Sequence, residues 1–467
     1  MKIYIIFLML FSLISGYAKG QIPEEYLMEA AENNPGLKAS FLRYHAALER
    51  VPQAAALPDP QLSFGIFVMP MERFAGDQLA SISLMQMFPW AGTLAAAKEE
   101  MSWMARAEYE AFREKKSELF YEVRTAWNAL QLLESELEVT RENLGLLITM
   151  EQIALARFKS GGQASGTPGS PQGMNRQGSQ TSGSQGNSMG GMAMQGRSNA
   201  AAPSGGSNMA PMGSMESGNG GMADVLRIRM EINEMQNRLS ELEEKRVPRL
   251  ARFNVLLNKP ADAPVSLPDT LSAEPWPVLL SDVADTIMAG NPMMKMLEME
   301  EASLVARAKM NRKMGMPMIG VGLQYDLFRP GENTPSMMNG RNMLMPMATI
   351  SVPLWRKKYD ASVREAEFLR QSVAEQIQET GNRLVLSYEE IHSDRKDADR
   401  RMRFYQDQAS LSGQTLNILV VQYTTEGTRF EEVLRMQQQL LDYRLKYLAA
   451  ITDGNIAAAG MKRLLGR

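Results

Sequence analysis

Met318-Ile319-Gly320-Val321-Gly322-Leu323-Gln324-Tyr325-Asp326-Leu327 reads as a strand with two unlike faces. Ile319, Val321, Leu323, Tyr325 and Leu327 alternate with Gly320, Gly322, Gln324 and Asp326, so one face is apolar and the other small or polar. Gln61–Met69 repeats the pattern, with Leu62, Phe64, Ile66 and Val68 set against Ser63, Gly65 and Phe67. Leu79–Phe88 and Asn342–Val352 are expected as partners. In them Ile82 and Leu84 face away from Ser81 and Ser83, and Ile350 and Val352 away from Thr349 and Ser351. The predicted strands, 61–69, 79–88, 318–327 and 342–352, are each about ten residues long, enough to cross a bilayer when tilted. The connections Pro70–Gln78 and Arg329–Arg341 read as polar loops. In lipid a sheet must close, because no backbone group can stay unpaired there. Barrels begin near eight strands, so four strands point to a barrel shared among several copies.

Outward from the strands the chain says the same thing twice. Asn34-Pro35 returns as Asn291-Pro292, and Met87-Phe88-Pro89-Trp90 is echoed by Ser351-Val352-Pro353-Leu354. Ala156-Arg157-Phe158-Lys159-Ser160-Gly161-Gly162 is echoed by Val421–Gly427, and Ala223–Leu226 by Glu431–Leu434. The first repeat is predicted over 21–258, with a long helix over 94–160, an insert over 163–222 and a helix over 223–257. A linker over 259–281 follows. The second repeat, 282–467, has a long helix over 356–423 and a helix over 429–465. Val123, Leu130, Leu137 and Leu144 recur every seven residues beside Phe120 and Trp127, as do Ile377, Leu384 and Ile391 beside Tyr388, which is coiled-coil spacing. A helix of ~65 residues would run on the order of 100 Å. Glu24–Gln53 with Ala223–Leu257, and Asp282–Arg312 with Arg429–Leu465, each match one long helix in length. Two short helices stacked end to end beside a continuous one are therefore expected in each half.

Met1–Gly20 has the Lys2 start, the apolar run Ile3–Ile14 and the small residues Ala18 and Gly20 of an export signal, 1–20. No later stretch reaches the ~18 consecutive apolar residues of a spanning helix. The 467 residues carry 50 Lys and Arg against 53 Asp and Glu, a net charge of −3. With no basic cluster, nucleic acid is not an expected partner. Cysteine is absent and histidine occurs only at His45 and His392, which excludes disulfides, thiolate nucleophiles and Cys/His metal centres. No catalytic constellation is present, so the chain reads as a non-enzyme without a resident cofactor.

Several motifs together resemble the TolC-like outer-membrane efflux family. They are Asn34-Pro35, Ala56-Leu57-Pro58-Asp59-Pro60-Gln61-Leu62, Phe88-Pro89-Trp90-Ala91-Gly92-Thr93, and Tyr423 with Gly427-Thr428-Arg429 and Glu432-Val433-Leu434. The resemblance implies a mainly helical fold of internally duplicated coiled-coil hairpins, with four strands per chain entering a trimeric twelve-stranded outer-membrane barrel. It implies a homotrimer in outer-membrane lipid that extends into the periplasm and meets a periplasmic adaptor and an inner-membrane pump. It also implies a periplasmic gate, with Asp224, Tyr423, Arg429 and Glu432 at matching positions. Arg429 is offset by one residue from the usual Tyr-to-Arg spacing.

Methionine is abundant, with 37 residues. Gln163–Met222 departs from the family pattern in its Gly, Ser, Gln, Asn and Met composition, which offers little apolar surface to bury. It holds Met174, Met189, Met192, Met194, Met209, Met212, Met215 and Met222. Thioethers are soft ligands that select Cu(I) and, by the same softness, Ag(I). Strand parity adds Met85, Met87, Met343, Met345 and Met347 to the Ser/Thr/Gly face, which is the lumen side if the apolar side meets lipid. Met316 and Met318 lie at the start of the third strand. The expected function is a passive exit duct of a tripartite efflux system, with transient Cu(I) or Ag(I) as one cargo. The alternatives are a periplasmic adaptor built on coiled-coil hairpins and a Met-rich periplasmic copper-binding protein.

Overall fold

The computed structural model describes residues 22–73, 75–161, 220–268, 270–276, 283–331, 337–426 and 430–467. In chain order the elements are α1 (Glu24–Asn33), α2 (Pro35–Ala55), β1 (Gln61–Arg73), β2 (Gly76–Phe88), α3 (Thr93–Gly161) and α4 (Gly220–Leu256). The second half repeats them as α5 (Val283–Gly290), α6 (Pro292–Met314), β3 (Met318–Arg329), β4 (Met343–Ser351), α7 (Arg356–Glu426) and α8 (Phe430–Leu464). The export signal and all but the end of the Met-rich insert lie outside the described residues.

Two continuous rods, α3 of 69 residues and α7 of 71, set the length of the molecule at roughly 100 Å. Each carries the short helices of its own half, and α3 also packs against α6 and α8. The heptad seam of α3 is buried at Val123, Leu130 and Leu137, and Trp127 beside it is also fully enclosed. On the α3–α8 contact the seam turns polar. The Gln437 side chain donates to Asn143 at 3.1 Å and Asn455 donates to Asn128 at 3.2 Å, all four buried. A buried amide is costly unless bonded, so these pairs fix one axial register between the halves.

The two Asn-Pro dipeptides make the end-to-end stacking. Proline cannot continue a helix from its N-terminal side, so the preceding helix stops at Asn33 or Gly290 and the asparagine caps the next one. The Asn34 side chain accepts from Leu37 N at 3.1 Å, and Asn291 accepts from Met293 N at 2.9 Å. The same amides donate across the junction, Asn34 to Leu256 O at 3.1 Å and Asn291 to Leu464 O at 3.2 Å. One side chain thus satisfies the start of one helix and an orphan carbonyl at the end of another. The stack is α2 on α4 and α6 on α8. Glu24–Gln53 is therefore not one continuous helix, because α1 lies beside the end of α4, with Tyr26 against Phe253 at 5.4 Å between ring centres and Glu29 paired to Lys259 at 2.7 Å.

The segment after α4 forms no helix or strand over 257–268 and 270–276. It is nonetheless tied down. Asn254 donates to Ala261 O and Ala263 O, and Arg395 Nη1 donates to Glu274 O at 2.9 Å.

The four strands form one antiparallel sheet in the order β1-β2-β3-β4. Pairing continues past the predicted loop start at Pro70. Met71 pairs with Gln78, Glu72 with Asp77 and Arg73 with Gly76, after a register shift beyond Ile66. The ladder thus outlasts the hydrophobic alternation, and Gly76 takes the positive φ of 106° that this tight connection needs. At the helical end, Pro89–Gly92 turns β2 into α3. Thr93 N donates to Trp90 O at 2.9 Å, and Gly92 takes φ 82° with the Lys313 side chain packed against it.

Candidate functional site

Two places carry function-bearing chemistry, one on the sheet and one at the far end of the rods.

The register sorts the strand residues by face, since residues directly opposite in a ladder share a side. One side carries Leu62, Leu84 and Leu323 in one row, Phe64, Ile82, Tyr325 and Leu344 in the next, and Phe88, Ile319 and Ile350 nearest the helices. It is open: Phe64 is 70% exposed, Ile66 81% and Ile350 66%. Water-facing surfaces of soluble monomers seldom carry a continuous apolar face of this extent. The opposite side carries Ser63, Ser83, Gln324 and Met345 in one row, Gly65, Ser81, Asp326 and Met343 in the next, and Gln61, Met85, Gly322 and Met347 in a third. Met87, Gly320 and Thr349 form the row nearest the helices. The five strand methionines singled out from parity therefore share one side with the serines, glycines and threonine. Asp326 is enclosed there and accepts from Gln78 at 2.9 Å and Gln324 at 2.8 Å.

The far end joins all four long helices. Leu147, Met150 and Ala154 of α3, Val225 and Ile228 of α4, Leu416 and Tyr423 of α7, and Phe430 and Val433 of α8 form one apolar cluster. Tyr423 lies at its edge with Phe430 at 5.2 Å between ring centres. Asp224 on α4 is half-buried near it. Burial pushes the Asp224 carboxyl up, with Arg227 and Arg157 pulling it partly back. Burial likewise raises the Tyr423 hydroxyl, the Asp224 charge adds to the rise, and Arg157 opposes it.

Arg157 is the residue that sequence reasoning did not place here. Its guanidinium donates to the Tyr423 carbonyl and stands 5.1 Å from the centre of the Tyr423 ring, so α3 is latched to α7 across the hairpins. Its position in Ala156-Arg157-Phe158-Lys159, the segment that matches Val421–Thr424 in the repeat, was the available signal. Glu432 lies half-buried in the first turn of α8, where the helix dipole favours an acid. Arg429 lies outside the described residues. So do Met174, Met189, Met192, Met194, Met209, Met212 and Met215, while Met222 is exposed at the start of α4.

Among the described residues no group of three or more His, Cys, Asp or Glu is placed to hold a metal ion. No described helix is long and apolar enough to cross a membrane.

No family model matches the chain, and no curated relative does. Solved structures do match over nearly its full length. The outer membrane protein VceC from Vibrio cholerae superposes with a TM-score of 0.67 at 12% identity, over 95% of each chain. CusC, solved in a study of transmembrane channel formation, superposes at 0.68 with 15% identity over 95% of this chain and 91% of its own. The open state of the MtrE outer membrane channel of Neisseria gonorrhoeae gives 0.64 at 12% identity, over 95% and 88%. The resemblance first carried by scattered motifs thus extends to the whole architecture, and the chain has the TolC-like fold of these outer-membrane channels.

Proposed function

We propose that this chain is the outer-membrane exit duct of a tripartite efflux system. Three copies contribute four strands each to one closed barrel in the outer membrane, and their rods continue it as a tube through the periplasm. An adaptor protein and an inner-membrane pump meet the tube at the Arg157–Tyr423 end, and cargo passes without chemistry in the duct. The observation that carries the reading is the sheet. Its four strands have two open edges, β1 and β4, and one exposed face that is apolar but for Gln86 over the paired rows from Phe64 to Phe88. Open edges and apolar faces are both resolved by closing a ring in lipid. The likeness to channels whose structures span the same length supports it. Cu(I) or Ag(I) is the proposed cargo, on the strength of the methionine content and the softness of thioethers.

Because the chain has no cysteine, single introduced thiols test the barrel cleanly. In outer-membrane vesicles, Leu323→Cys should react with a lipid-dissolved maleimide and resist a charged one, whereas Gln324→Cys should do the reverse. The purified protein should have the mass of three chains in detergent. Equal labelling of both positions by the charged reagent, or a soluble monomer, would end the reading.

A further inference from the structure

We propose that Met85, Met87 and Met347 form a thioether site on the inner face of the sheet that binds a soft monovalent cation, Cu(I) or Ag(I). The inference rests on the exit-duct reading only for calling that face inner.

Three observations carry it. The methionines of β2, β3 and β4 are all on one side. Met85, Met87, Met318, Met343, Met345 and Met347 share the face of Ser81, Ser83, Gln324 and Thr349, while the other face of these strands holds Leu, Ile, Val, Phe and Tyr with Ala80, Gln86, Pro346 and Ala348, and no Met. Methionine used as adaptable apolar filler would go to the apolar side. The second observation is convergence. A Cβ built on Gly320 would stand 2.6 Å from the Met87 sulfur and 3.5 Å from the Met85 sulfur, so two thioethers lie over one glycine. Gly322, next along on the same face, has the Met85 methyl over it and Met347 directly opposite in the ladder. Two glycines on the central strand thus clear a floor under the two β2 thioethers, and the ladder sets Met347 of β4 on the same face beside it. The third is the absence of a carboxylate from these two rows, whose hard donors are only the neutral Gln61 and Thr349. The Thr349 hydroxyl donates to the Met85 sulfur at 3.6 Å, and Asp326, two rows away, is already occupied by Gln78 and Gln324.

Thioethers select soft cations over Mg(II) or Ca(II), which demand oxygen. They are also neutral, so they do not offset the cation's charge as a thiolate would. Such a site holds its ion loosely, which suits hand-over along a path rather than storage. The three methionines are half-buried at the helical end of the sheet, where the tube of helices would deliver cargo to the barrel.

The test uses the full-length protein in detergent, labelled with carbon-13 at the methionine methyls and titrated with Ag(I) in chloride-free buffer. The Met85, Met87 and Met347 methyl resonances, assigned from single Met→Leu variants, should shift together and saturate at one Ag(I) per chain. The triple variant M85L/M87L/M347L should lose that equivalent while keeping any Ag(I) bound by methionines elsewhere. Gly320→Ala should weaken binding about tenfold, as displaced ligand geometry does, without lowering the thermal midpoint. Shifts confined to other methionines, or an unchanged titration in the triple variant, would overturn the site. Ion conductance of the same preparations in planar bilayers is read in parallel. A conducting protein without the Ag(I) site refutes this inference alone, and a non-conducting one refutes the duct.

Discussion

Replacing Arg157 with Ala should loosen the tip without unfolding the rods. The guanidinium donates to the Tyr423 carbonyl and lies over its ring, bridging α3 and α7 at their far ends. A hydrogen bond from a charged donor contributes about 1.5–3 kcal/mol. A cation over an aromatic face adds ~0.5–1 kcal/mol where the site is not fully dry. Arg157 is half-buried, so the lower ends apply, and the two together come to roughly 2 kcal/mol. At 1.4 kcal/mol per factor of ten, local opening of the tip should rise roughly 30-fold. Hydrogen exchange reads this directly. Amides in the last turns of α7 and the first turns of α8 should exchange faster in Arg157→Ala, while those around Trp127 keep their protection. Arg157→Lys should fall between, because an ammonium keeps the charge but not the planar donor. In planar bilayers the alanine variant should also conduct more current at rest. Wild-type exchange at Tyr423 and its neighbours in Arg157→Ala would refute the latch.

Asp224 should make the same region pH-sensitive. Its carboxyl is raised by burial, so the folded tip binds the proton more tightly than the opened one, and tip protection falls as pH rises above the ordinary aspartate range. Asp224→Asn should abolish that slope above the ordinary aspartate range in exchange measurements, and a retained slope would assign it to another group. Asn34→Ala should cost about 2 kcal/mol in denaturant unfolding, from the lost cap and the lost bond to Leu256 O. Asn291→Ala should cost more, because Asn291 is buried and accepts from two amides, and the two losses should add within error. Leu323→Arg should reduce the protein recovered in the outer-membrane fraction, by a penalty of ~2–4 kcal/mol per chain at mid-bilayer. Gln324→Arg on the opposite side should leave recovery near wild type, and equal loss in both would contradict the assignment of faces.

Much of this architecture was legible because its causes are local. Alternation alone separated the two faces of β3, and the ladder partners then carried Met85, Met87 and Met347 to the side their parity indicated. Asn34-Pro35 and Asn291-Pro292 were legible as a repeat, while the helix breaks they make were not read, so Glu24–Gln53 and Asp282–Arg312 were each expected as one helix. What the two asparagines bond across the junction, Leu256 and Leu464, lies 222 and 173 residues away and has no local trace. The same holds for the tip. Tyr423 and Asp224 came from motif resemblance, but Arg157 is 266 residues from Tyr423 and meets it only because two separate hairpins end at the same height. The ends of β1 were misread for a different reason. Pro70–Gln78 has loop composition, yet backbone pairing between Met71–Arg73 and Gly76–Gln78 does not depend on which side chains are present.

The unpaired outer strands also bear on how variants would behave in a cell. In the proposed three-copy barrel a lone copy would leave β1 and β4 unpaired, so a ring would assemble from whatever copies are at hand. A variant with sound strands and a damaged tip would join wild-type copies freely. If half of the pool were such a variant, only about one ring in eight would be wholly intact, given threefold closure and random mixing. Alleles harming the tip should therefore act dominantly, whereas those that spoil the strands should drop out of assembly and behave as recessive.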